Sequence, residues 1–114
     1  MTKERQNIVI AEFCGWKDIQ TSKFGILTGV PDTDSGLHHT IPNYTGSIDA
    51  MHEAEKKLND EQGLQFVSEI EDICQLDLVR KKDDYTWLRF AVCHATAAQR
   101  AEALIKTIGR WEGE

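Results

Sequence analysis

The strand predicted at residues 85–94 constrains the fold of this chain more than any other feature. Bulky side chains occupy both of its faces: Leu88, Phe90 and Val92 on one, and Trp87, Arg89 and Ala91 on the other. A strand with one face in water shows polar residues at every second position instead. The sequence therefore predicts a sheet that is covered by helices on both faces.

Two helices are predicted in the first half of the chain. Thr2 caps a helix over residues 2–14, and Gly15 follows it, where a left-handed closing residue is common. Ser47 caps a second helix, whose apolar residues recur at helical spacing: Ile48, Met51, Ala54 and Leu58. Both helices are expected to bury one face.

Capping boxes open two more helices, because a short polar residue at the cap is followed three residues later by glutamine. One begins at Asn59 and ends near Gln75, with an inward stripe of Phe66, Val67, Ile70, Ile73 and Cys74. The other begins at Thr96, with an inward stripe of Ala97, Ala101, Leu104, Ile105 and Ile108.

Two hairpins are predicted between these helices. Residues 19–30 and 37–41 form the first, around a turn at residues 31–36, and residues 76–82 and 85–94 form the second. Isolated hairpins are marginally stable, so the two are expected to join into one antiparallel sheet. The prediction is an α+β fold: an α/β/α sandwich with the order αββααββα, in a single domain spanning residues 1–114.

The charge balance narrows the range of partners. The formal net charge of −6 argues against binding of duplex nucleic acid, which depends on many Lys and Arg contacts to phosphate. Acids are concentrated in residues 47–77, which hold nine of them and two lysines. With no apolar run of membrane-spanning length, no secretion signal and an odd number of cysteines without CxxC spacing, the chain is expected in the cytoplasm, away from membranes.

Four segments resemble the phage ABA sandwich domain family: residues 7–16, 41–44, 49–55 and 94–103. The resemblance implies an α/β/α sandwich encoded by a bacteriophage or prophage, and it brings no established reaction. Some compact phage proteins block bacterial immunity by sequestering nucleotide signals, often as oligomers. By analogy with their size and origin, we expect a homo-oligomer acting in the cytoplasm of an infected bacterium.

No catalytic or cofactor motif is present in the sequence. The GxxxxGK[ST], GxGxxG, GxSxG and HExxH patterns are absent. Cys93 and His94 are adjacent on a predicted strand, where neighbouring side chains point to opposite faces. His38 and His39 lack the spacing of a metal site. We therefore expect a protein without enzymatic activity, cofactor or metal.

Four residues are candidates for binding an anionic, nucleotide-like ligand. Trp87 and Tyr44 offer aromatic faces for a base, and Arg89 and Arg100 offer guanidinium groups for phosphate. A structural role is the alternative, because Trp87 could belong to the core and Arg89 could pair with an acid.

Two functions follow from these observations. The leading hypothesis is a non-catalytic phage accessory protein that counters host defence by sequestering a small nucleotide-like signal. The alternative is an acidic protein-interaction module that uses residues 47–77 to inhibit or recruit a host protein.

Overall fold

The computed structural model describes residues 1–31, 36–77 and 95–112, which form a mixed α+β structure. Within these residues, the helices are α1 (Lys3–Phe13), α2 (Ile48–Glu55), α3 (Asp60–Asp77) and α4 (Ala97–Thr107). The strands are β1 (Lys17–Thr21), β2 (Leu27–Val30) and β3 (His39–Thr40). None of the described helices is long and apolar enough to span a membrane.

The predicted helix starts are confirmed by their capping hydrogen bonds. The Thr2 hydroxyl accepts from the Arg5 N–H, and the Ser47 hydroxyl accepts from the Ala50 N–H. At the other end of α1, Gly15 has the predicted left-handed conformation, with φ 97°. These ends are set by short-range hydrogen bonds, which is why a local pattern could predict them.

Both predicted capping boxes are also confirmed. Asn59 and Gln62 exchange reciprocal backbone-to-side-chain hydrogen bonds of 3.0 and 2.8 Å. Thr96 and Gln99 exchange the same pair at 2.9 and 3.1 Å. Each box satisfies N–H groups that an α-helix leaves open at its start. Helix α3 extends to Asp77, past the predicted end near Gln75.

The described strands form an antiparallel sheet in the order β1-β2-β3. The prediction of one long strand over residues 19–30 is wrong, because a turn at residues 22–26 divides it into β1 and β2. The Ser22 hydroxyl accepts from the Phe24 and Ile26 N–H groups, and Gly25 adopts φ 82°. The predicted pairing of residues 19–30 with residues 37–41 is confirmed in part, because β2 pairs with β3, and β1 adds a strand on the other side of β2.

The predicted second hairpin, at residues 76–82 and 85–94, falls almost entirely outside the described residues. Its first two positions, Leu76 and Asp77, lie inside them and are helical, as the end of α3. The four-strand sheet with helices on both faces therefore stays a prediction.

Helix α4 organises the described core, since α1, α2 and α3 all pack against it. The largest fully buried side chains come from all four helices: Val9, Ile10, Met51, Ile70, Leu104 and Ile105. The sheet contributes the half-buried Ile19 and Leu27 at the edge of this core. Two predicted core residues are exposed instead: Ile48 in the first turn of α2, and Val67 at the margin of the buried face of α3.

A polar loop at residues 41–47 connects β3 to α2 and is tied to α1 by buried hydrogen bonds. The Asn7 amide donates to the Asn43 side-chain oxygen (3.1 Å) and accepts from the Thr45 N–H (3.0 Å). The Thr45 hydroxyl donates to the same Asn43 oxygen (3.2 Å). This network fixes the backbone that leads into α2, because buried polar groups are costly without partners.

Candidate functional site

Tyr44, a predicted ligand-binding residue, lies in the polar loop and is only 4% exposed. Its hydroxyl lies beside the Cys14 thiol and the Trp16 indole, which follow the end of α1. Burial raises the pKa of Tyr44, and the neighbouring Cys14 raises it further. Burial likewise raises the pKa of the Cys14 thiol. Tyr44 therefore keeps its proton and holds the polar loop against α1.

Arg100, a second predicted ligand-binding residue, forms an ion pair with Glu55. Its Nη1 donates to both carboxylate oxygens, at 3.0 and 3.2 Å, and links α4 to the end of α2. The two side chains are 12% and 17% exposed. Burial raises the pKa of Glu55, although the charge of Arg100 acts in the opposite direction. Arg100 thus has a structural partner within the chain.

The other two predicted ligand-binding residues, Trp87 and Arg89, lie outside the described residues. Tyr44 and Arg100 both make contacts that hold elements of the fold together. A ligand site built from these four residues therefore stays a prediction from the sequence.

A groove lies at the joint between α2 and α3. Helix α2 ends at Glu55, and the chain turns through hydrogen bonds from the Lys57 and Leu58 N–H groups to the Ala54 and Glu55 carbonyls. The Asn59 capping box then starts α3 at once. The sharp change of direction leaves an open cavity of about 650 Å³ between the joint and the first half of α3.

The walls of this groove are mostly apolar, with carboxylates at one side. Its lining includes Leu58, Leu64, Phe66 and Val67, together with Glu55 and Asp60. Leu64 is 76% exposed and Val67 is 45% exposed, on the turn of α3 that borders the cavity. Two apolar side chains in water beside a concave surface are typical of a binding site.

Acidic side chains lie at one border of the groove and along the helix beside it. Asp60 and Glu61 occupy the first turn of α3, where negative charge is favoured by the helix dipole, and Asp72 lies further along its exposed side. Within the described residues, the ion pairs of this region are Glu53 with Lys56 and Glu55 with Arg100. Asp60 and Glu61 are not part of these pairs, so they leave negative charge at this border of the groove.

The apolar stripe predicted for this helix from the sequence does not include Leu64. Helix α3 buries Phe66, Ile70, Ile73 and Cys74 on one side, and Leu64 lies on the opposite side beside Glu61 and Gln65. An isolated leucine on the polar face of an amphipathic helix is the signal that could have revealed it. The cavity itself depends on the angle between α2 and α3, which helical periodicity does not specify.

Acidic, histidine and cysteine side chains are the common ligands of metal ions in proteins. In the described part of the chain, no three such side chains come together in a way that could hold a metal ion. Cys93 and His94 lie outside it.

Comparisons with models of protein families, with curated proteins and with solved structures find no match to this chain. The resemblance to the phage ABA sandwich domain family accordingly stays a prediction from the sequence. The candidate site stands on its own geometry: an acidic, partly apolar groove at the α2–α3 joint.

Proposed function

We propose that this protein is a non-catalytic interaction module whose α2–α3 groove docks a basic, partly apolar surface of another protein. The observation that carries the proposal is the exposure of Leu64 and Val67 beside a concave surface that has the carboxylates of Glu55 and Asp60 at one side. This function was the alternative hypothesis from the sequence, and it rests on residues that the structure describes.

The chemistry of the groove defines the expected partner. Burying the exposed parts of Leu64 and Val67 removes apolar surface from water, at about 25 cal/mol per Å². The surrounding carboxylates attract lysine and arginine side chains and repel acidic surfaces, so charge contributes mainly to specificity and to the rate of association. A basic surface with an apolar side chain at its centre satisfies both requirements.

The expected setting is part of this proposal. The resemblance implies a phage protein in the cytoplasm of an infected bacterium, where docking would inhibit or recruit a host protein. The α/β/α sandwich order, with a second hairpin completing the sheet, also belongs to the proposal. That sheet would hold the groove at the outer surface of the helical layer.

The test is affinity capture from a bacterial lysate with three immobilised proteins. These are the wild type, a double variant with Leu64→Ser and Val67→Ser, and the control Leu37→Ser, which removes an exposed leucine from another part of the chain. We expect a stoichiometric protein bound to the wild type and the control, lost with the double variant and released by salt.

Equal capture by all three proteins, or capture that is insensitive to salt, would contradict the proposal. A small nucleotide-like compound released when the purified protein is denatured, in the absence of any captured protein, would favour the sequestration hypothesis instead. Mass spectrometry of the eluted fractions distinguishes these outcomes.

A further inference from the structure

We propose that the turn between β1 and β2 of one copy seats in the α2–α3 groove of a second copy, so that the protein assembles head to tail. The inference rests on the proposed function in one respect, since it uses the same groove as a docking site. It names a second copy of this chain as the occupant.

The β1–β2 turn presents apolar side chains to water next to a positive charge. Phe24 is 80% exposed at the tip of the turn, and the neighbouring Ile26 is exposed as well. The Lys23 ammonium lies 5.6 Å from the centre of the Phe24 ring, within the range of a cation–π contact. The turn therefore offers an aromatic anchor and a cation as one unit.

The backbone of this turn is well ordered by its own hydrogen bonds. Ser22 makes four of them: its N–H donates to the Ile26 carbonyl, its carbonyl accepts from the Gly25 N–H, and its hydroxyl accepts from the Phe24 and Ile26 N–H groups. A turn held in this way loses little conformational freedom on binding, which favours its use as an anchor.

The groove matches the turn in apolar character and in charge. Its volume of about 650 Å³ accommodates an aromatic ring, and its apolar walls offer contacts to that ring. Asp60, at its border, and Glu61, next along α3, provide carboxylates for the Lys23 ammonium. The turn carries the positive charge and the aromatic anchor, and the groove carries the negative charge and the cavity. This complementarity selects the second copy as the occupant.

The geometry of the contact determines the type of assembly. Each copy carries one turn and one groove, which are different surfaces, so the contact is heterologous and adds copies as a ring or as an open chain, depending on the rotation between neighbours. A single turn in a groove is smaller than the standard interface of about 1,200–2,000 Å². Association is therefore expected to depend strongly on protein concentration.

The experiment is sedimentation velocity on the full chain over a range of concentrations, with two variants that each destroy one half of the contact. Phe24→Ser removes the anchor and keeps the groove, whereas Leu64→Ser damages the groove and keeps the anchor. We expect each variant alone to associate at least about tenfold more weakly than the wild type. Leu37→Ser serves as the matched control and should associate like the wild type.

Mixing the two variants gives the decisive result. One intact turn and one intact groove remain between them, so an equimolar mixture should form a dimer that grows no further. A monomeric wild type at all concentrations up to about 1 mM, a mixture that stays monomeric, or a single variant that associates like the wild type would overturn the proposal. The last result would show that the substituted side chain lies outside the contact.

The two proposals fail in distinguishable ways. Phe24→Ser leaves the groove intact, so this variant should still capture a partner from a lysate if the proposed function holds. Loss of self-association together with continued capture supports both proposals. Continued self-association of the Phe24→Ser variant refutes only the second, whereas capture that persists in the Leu64→Ser and Val67→Ser double variant refutes only the first.

Discussion

The polar loop before α2 buries polar side chains, whereas the groove after α2 leaves apolar side chains in water. In the polar loop, Asn7 and Thr45 are buried and hydrogen-bonded. At the groove, Leu64 and Val67 extend into water beside carboxylates. A buried polar group with its partners in place holds a structure together, whereas an apolar group left in water is available for a partner. The polar loop therefore stabilises the fold, whereas the apolar side chains of the groove are available for binding.

Asn7→Leu, which disrupts the polar loop, is expected to reduce the stability of the fold more than any other change considered below. This change removes the donor to Asn43 and leaves the buried Thr45 N–H without its acceptor. We expect the free energy of unfolding to fall by about 2–3 kcal/mol, measured by urea denaturation. Gln6→Leu is the control, because the hydrogen bond of Gln6 to the Met1 carbonyl is long at 3.4 Å. An equal loss in both variants would show that the network contributes nothing particular.

The same substitution in the two regions should have opposite effects. A Cβ at Gly46 would lie 2.6 Å from the Asn43 amide nitrogen, so Gly46→Ala displaces the side chain that accepts from Asn7 and Thr45. We expect a loss of about 1 kcal/mol. A Cβ at Gly63 meets no described atom within 4 Å, so Gly63→Ala should stabilise α3 by about 0.5–1 kcal/mol. Urea midpoints that move in the same direction would contradict this contrast.

At the border of the groove, the stability of the fold is expected to depend on pH through Glu55. Burial raises the pKa of Glu55, so the folded state binds a proton more tightly there than the unfolded state. The contribution of Glu55 is therefore favourable below its ordinary pKa and is lost as the pH rises through its raised pKa. Unfolding measured between about pH 4 and 7 should show Glu55→Gln gaining stability relative to the wild type as the pH rises.

Glu53 provides a control of opposite sign, two residues earlier on α2. A hydrogen bond and the charge of Lys56 lower the pKa of Glu53, so its contribution is present above its ordinary pKa and is lost as the pH falls. Glu53→Gln should therefore lose stability relative to the wild type as the pH rises. Parallel pH profiles for the two variants would mean that burial at the groove does not govern Glu55.

Substituting an exposed apolar side chain of the groove is expected to change the stability of the fold least. Leu64→Ser removes a side chain that is 76% exposed, so the free energy of unfolding should change by no more than about 0.5 kcal/mol. The same variant is expected to lose partner capture and self-association. A large destabilisation measured by urea denaturation would instead show that Leu64 belongs to the core.

Local signals allowed much of the helical structure to be predicted. The caps at Thr2, Ser47, Asn59 and Thr96 are each satisfied within three residues, so short patterns identify them. The division of the long predicted strand was missed because its turn contains no proline or asparagine. In that turn, the Ser22 hydroxyl accepts a hydrogen bond from the backbone, and Gly25 supplies the positive φ.

The candidate site was less accessible to sequence reasoning. The concentration of acids in residues 47–77 indicated an interaction surface, but periodicity placed Val67 inside and did not single out Leu64. Both assignments depend on how far α3 is rotated against α4, which is set by tertiary packing. Arg100 was considered for its charge alone, and its partner Glu55 lies 45 residues away in the chain.

The position of α4 at the centre of the described helices has a consequence for folding kinetics. Helix α1 reaches its main helical partner only by closing a loop that includes most of the chain. Such distant contacts raise the relative contact order. The chain must lose conformational entropy to close the loop before these contacts can stabilise the fold. Refolding should therefore be slower than is usual for helical bundles, with the docking of α4 as the step that makes the transition cooperative.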